Sequence, residues 1–69
     1  MRIDAYRRPM NSKKVLKRLR QEGFEEVSRK GSHVKMRHKD GRTTIVPDPK
    51  KDLAIGLLKA IEKQAQITL

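Results

Sequence analysis

The stretch from His33 to Val46 constrains the fold more than any other part of the chain. His33–His38 alternates strictly, with His33, Lys35 and Arg37 on one side and Val34, Met36 and His38 on the other. That is the period of a strand with one wet face and one dry face. Asp40-Gly41 is the strongest short hairpin signal in the sequence, since both central positions tolerate positive φ, and it leads into Arg42–Val46, rich in β-branched residues. An antiparallel hairpin with one polar face needs the rest of the chain to cover its apolar face.

The flanking segments can do this. Asn11 or Ser12 can cap a helix in which Val15, Leu16 and Leu19 recur at helical spacing, and Gly23 offers a left-handed stop. Phe24 and Val27 then open a strand whose apolar side chains are expected to point at that helix. Lys30, Gly31 and Ser32 form a turn. After the hairpin, Pro47-Asp48-Pro49 ends the last strand and Lys50, Lys51 and Asp52 complete an exposed loop. A second helix is expected from Leu53 or Ala54 to about Gln66. It carries Leu57, Leu58, Ile61 and Ala65 toward the core and leaves Lys59, Glu62 and Lys63 to solvent, with Gly56 weakening its first turns.

The predicted fold class is α+β: a two-layer α-β-β-β-α domain with a three-stranded antiparallel sheet and two helices on one face. Residues 10–69 form the single domain, and Met1–Pro9, without periodicity and ending in proline, reads as a flexible basic extension. A chain of 69 residues builds one thin core and no deep internal cavity, so any site lies at the surface.

Charge narrows the partners. Eighteen Lys and Arg against eight Asp and Glu give a formal net charge of +10, a field that attracts polyanions from a distance. Nucleic acid is the leading partner, with an acidic protein as the alternative. The absence of cysteine removes disulfide and thiolate chemistry, and no histidine spacing suggests a metal site. No apolar run approaches a membrane span or a signal peptide core. The expectation is a cytoplasmic protein with no metal, no small-molecule cofactor and no membrane partner.

His33 and His38, five apart on a strand, fall on opposite faces and cannot act together on one phosphate. His33 follows a Gly-Ser turn whose backbone N–H groups, from Gly31, Ser32 and His33, suit an anion-binding nest. With Lys30, Lys35 and Arg37 nearby, an imidazole there can take a proton from a ribose 2′-hydroxyl while the cations stabilise charge on the phosphoryl oxygens. The same residues also suit a solvated strand face or a non-catalytic RNA-binding module. The first helix adds Lys13, Lys14, Lys17, Arg18 and Arg20. Its lysines oppose the helix dipole at a cost of a few tenths of a kcal/mol, roughly, for each exposed charge; a stripe kept against that cost suggests phosphate contact, and a solvated face of a generally basic protein fits it equally well. Phe24 reads as core, so recognition of backbone and shape is expected in preference to base stacking.

Several pieces, in this order and spacing, resemble the HicA family of bacterial and archaeal toxins. They are Met10-Asn11-Ser12-Lys13-Lys14-Val15, Glu22-Gly23-Phe24, Lys30-Gly31-Ser32-His33, Val46-Pro47 with Lys50-Lys51-Asp52-Leu53, and Leu58–Ala65 ending Lys63-Gln64-Ala65. The resemblance runs from Met10 to about Ile67. It implies a fold similar to a double-stranded-RNA-binding domain and ribosome-independent cleavage of mRNA by the histidine of the Gly-Ser-His signature, His33. It also implies a HicB-type antitoxin that masks the site. The chain departs from the family at Asp48, where relatives often carry histidine, at Leu57, where they carry threonine, and at Gln66, where they carry glycine. No second catalytic role is therefore carried over to the loop around Asp48.

Overall fold

The structure, a computed structural model, describes residues 10–69. The expected basic extension at residues 1–9 lies outside the described residues. The elements run α1 (Ser12–Gln21), β1 (Phe24–Lys30), β2 (His33–His38), β3 (Thr43–Pro47) and α2 (Ile55–Ala65). The strands form an antiparallel sheet in the order β1-β2-β3, the architecture predicted.

Asn11 is the N-cap of α1, its side chain accepting the Lys14 N–H at 2.8 Å. Gly23, at φ +96°, turns the chain out of the helix into β1. Val15, Leu16 and Leu19 of α1 and Leu58, Ile61 and Ala65 of α2 bury against Phe24, Val34, Met36 and Val46, with Leu53 closing the loop side. Both helices thus cover the Val34/Met36 face, and the other sheet face stays open. Thr44 lies on the buried face opposite Met36, and its hydroxyl bonds Gln64 Oε1 at 2.7 Å. A buried polar atom without such a partner would be costly.

Four local expectations are corrected. Val27 does not point at α1: it is the extra residue of a β-bulge between Glu26 and Ser28 and is 50% exposed. Bulges reverse the alternation beyond them. Second, the Asp40-Gly41 turn takes positive φ only at Gly41 (+101°). Gly41 N–H bonds the His38 carbonyl at 2.9 Å and His38 N–H bonds the Arg42 carbonyl at 2.8 Å, giving a three-residue loop with glycine in the left-handed position. Third, Glu62 is half-buried and its carboxylate accepts the Leu69 N–H at 2.7 Å. Fourth, the dipole cost expected from the lysines of α1 is partly offset at its other end, where Arg18 and Arg20 stand in the last turn, Arg18 pairing with Glu22 and donating to the Thr68 carbonyl.

Candidate active site

His33 opens β2, directly after the turn made by Gly31 and Ser32. Gly31 sits at φ +56° while Ser32 keeps negative φ, the φ pattern of a two-residue type II′ hairpin turn, in which glycine is favoured at the first central position. Lys30 is therefore opposite His33, and Ser28 opposite Lys35. Directly opposed residues share a face, so Ser28, Lys30, His33, Lys35 and Arg37 all lie on the open side. All five are exposed.

The bulge at Val27 decides this composition. Before it, Glu26 is opposite Met36 on the buried side; after it, Ser28 is opposite Lys35 on the open side. With unbroken alternation Lys30 would fall on the helix side, away from His33. Arg29, opposite Val34, instead falls on the helix side, where its guanidinium lies 3.5 Å from Glu26 Oε2 and 3.1 Å from Asp48 Oδ2.

The β3 side of the site depends on a second local feature. His33 is opposite Pro47, and one step further on the Asp48 N–H donates to the Ser32 carbonyl at 2.7 Å. Ser32 and Asp48 thus occupy a hydrogen-bonded position of the ladder, which makes His33 and Pro47 a non-hydrogen-bonded pair. The missing N–H of Pro47 would face away from β2 and costs the ladder nothing. Asp48 also accepts the Ser12 hydroxyl and the Arg29 guanidinium. These two donors, Ser12 first, hold its carboxyl below the ordinary aspartate range. Its charge is therefore matched locally.

The sequence-predicted binding residues fall into two groups. Lys30, Gly31, Ser32, Lys35 and Arg37 surround or extend from His33 on the open sheet face. Lys13, Lys14 and Lys17 lie exposed on α1, in the other layer. Lys13 joins Asn11, Ser12, Pro49, Lys50 and Lys51 around a depression at the start of α1. Asp48 links that end of the helix to the turn before His33.

His38 is not part of the site. It faces the helix side, its ring edge on Phe24 at a centroid distance of 5.2 Å, and its Nδ1 accepts the Asp40 N–H at 3.1 Å. Sequence reasoning missed Ser28 and Ile45, which flank His33 with Lys30 and Lys35 around a shallow depression of about 260 Å3. Ile45 had a usable signal, since alternation in β3 puts it opposite the buried Thr44/Val46 set. Ser28 had none, because its face depends on the bulge. Among the described residues no group of three or more His, Cys, Asp or Glu side chains is placed to hold a metal ion.

Fold and site together define a class: a small basic α-β-β-β-α domain that presents an exposed histidine among cations on an uncovered sheet face. The family described as the HicA toxin of bacterial toxin–antitoxin systems matches residues 12–67, and the chain belongs to that family. It is thus a toxin-type component whose family implies an antitoxin partner. No curated protein matches the chain at a significant level. Among the described residues no helix is long and apolar enough to cross a membrane.

Proposed function

We propose that this toxin is a metal-independent endoribonuclease that cleaves mRNA, with His33 as its general base. The observation that carries this reading is the exposed imidazole of His33 on the open sheet face, directly opposite Lys30 and on the same side as Lys35. His33 takes the proton of a ribose 2′-hydroxyl, whose oxygen attacks the adjacent phosphorus. The P–O5′ bond breaks, leaving a 2′,3′-cyclic phosphate on one fragment and a 5′-hydroxyl on the other. Because the face is open to water, the departing 5′ oxygen can draw its proton from solvent. Lys30, Lys35 and Arg37 stabilise the charge that builds on the phosphoryl oxygens.

The element order matches that of double-stranded-RNA-binding domains, in which affinity comes from contacts to the sugar–phosphate backbone. Lys13, Lys14 and Lys17, with the Gly31-Ser32 turn, supply such contacts here. A HicB-type antitoxin inhibits the enzyme by covering the His33 face, and the net charge of +10 favours an acidic partner surface.

The test is incubation of the full chain with a long mRNA in EDTA beside the His33→Ala variant. The parent is expected to yield 2′,3′-cyclic phosphate ends, and the variant to cleave about 10²-fold more slowly while binding RNA as before. Equal rates for the two proteins would remove His33 from the chemistry. RNA left whole by the parent but bound in a salt-sensitive way would mean a non-catalytic RNA-binding module.

A further inference from the structure

We propose that Ser28 and Ile45 complete the substrate site: Ile45 is the apolar seat for the nucleoside beside the scissile bond, and Ser28 is a hydroxyl donor to its phosphate. The proposal rests on the ribonuclease reading and names two residues that this reading did not use.

Ile45 is the apolar residue in an otherwise polar depression with Ser28, Lys30, His33 and Lys35. It is 49% exposed, in the middle of β3 and directly opposite Lys35. Among the described residues nothing covers the bare half of this large aliphatic side chain on a cationic sheet face. The pair Lys35/Ile45 also falls at a non-hydrogen-bonded position of the β2–β3 ladder, two residues from His33/Pro47, where facing side chains come closest. An RNA nucleotide fits this combination, because its phosphate matches the lysines and its sugar and base have apolar faces that the isoleucine can cover. A partner offering carboxylates alone would satisfy the lysines and leave the isoleucine unused.

Ser28 is brought to this place by the bulge at Val27. A bulge inside a strand locally disrupts pairing, and such features recur where a side chain must be re-aimed. Here it turns Ser28 and Lys30 together onto the His33 face and puts a neutral donor between two cations. A hydroxyl can bond a phosphoryl oxygen without adding charge, which positions the phosphate where the lysines alone would only attract it.

The experiment uses a short 2′-O-methyl oligoribonucleotide of mixed sequence, which lacks the nucleophilic hydroxyl and so reports binding whether or not the protein cleaves RNA. Affinity is measured for the full chain and for Ile45→Ser, Ser28→Ala and Ile55→Ser, the last removing an isoleucine of similar exposure, 45%, at the start of α2. Ile45→Ser is expected to weaken binding about fivefold from the lost apolar cover. Ser28→Ala should weaken it roughly tenfold through a lost charge-assisted hydrogen bond. Ile55→Ser should leave it unchanged, and circular dichroism should show all variants folded. Parent-like affinity for both Ile45→Ser and Ser28→Ala would overturn the proposal, as would an equal loss in Ile55→Ser. Selective losses from a parent that leaves natural mRNA whole would uphold Ser28 and Ile45 as nucleotide-binding residues while rejecting the ribonuclease reading and any scissile bond beside them, so the two fail separately. If natural mRNA is cleaved, the same two variants should lower the cleavage rate at limiting substrate by matching factors.

Discussion

Ser12 is 2% exposed, and its hydroxyl donates to Asp48 Oδ1 at 2.5 Å and accepts the Lys50 N–H at 3.0 Å. Ser12 N–H also bonds the Lys50 carbonyl at 2.9 Å, so one residue fastens the start of α1 to the loop beyond β3. Ser12→Ala leaves the Lys50 N–H without its acceptor and the Asp48 carboxylate without its shortest donor. It is expected to cost about 1–3 kcal/mol. Each kcal/mol lowers Tm by roughly 4–8 °C in a domain of this size. A thermal melt that superimposes on the parent's would show that this fastening adds nothing to stability.

Acid should destabilise the protein through the same contact and two others. Ser12 and Arg29 hold the Asp48 carboxyl below its usual value of 3.8. The Arg42 backbone N–H and side chain do the same for Asp40, and Arg18 lowers Glu22 from 4.5. Carboxyls depressed in the folded state bind protons more readily when unfolded. Their contribution is therefore complete above the ordinary range and is lost as pH falls through the lower folded values. Melting temperature measured against pH should be level between about 5 and 7 and drop below about 4. Asp48→Asn should have a shallower drop than the parent; an identical acid limb would exclude Asp48 from the effect.

Gly23 and His38 are coupled by space. A Cβ on Gly23 would stand 2.8 Å from His38 Nε2, and Gly23 also requires φ of +96°. The imidazole has little freedom to retreat, since Phe24 packs on it and the Asp40 N–H bonds its Nδ1. Gly23→Ala should cost about 2–4 kcal/mol, combining left-handed strain with overpacking. In a His38→Ala background only the strain remains, about 1–2 kcal/mol. Denaturant melts of the four proteins measure the coupling, and additive effects would mean that the ring simply moves aside.

Gln66 ends α2 in the left-handed conformation, φ 57° and ψ 44°, its N–H bonded to the Glu62 carbonyl. Glycine adopts that conformation without the Cβ penalty. Gln66→Gly should raise stability by about 1 kcal/mol, seen as a higher midpoint in urea at unchanged slope. A lower midpoint would mean that the glutamine side chain contributes more than its backbone strain removes.

Local pattern carried much of this molecule. The alternation of His33–His38 placed Val34 and Met36 in the core and His33 outside. The helical spacing of Val15, Leu16 and Leu19 and of Leu58, Ile61 and Ala65 identified the covering layer, and Gly23 and Gly31 marked chain reversals that need positive φ. Each of these is written in a few neighbouring residues, because side-chain period and backbone preference are short-range properties. Three things were decided only when the whole chain folded. The bulge at Val27 arises from how β1 pairs with β2, and it alone brings Ser28 and Lys30 to the His33 face. Asp48, a negative charge in a strongly basic chain, is taken up by Ser12, 36 residues earlier, and by Arg29. The lysines of α1 and the cations Lys30, Lys35 and Arg37 of the sheet form one basic composition in the sequence, yet they lie in separate layers because both helices must bury the same sheet face. Register, long-range hydrogen bonds and the choice of covered face depend on contacts between distant segments, and no local pattern encodes them.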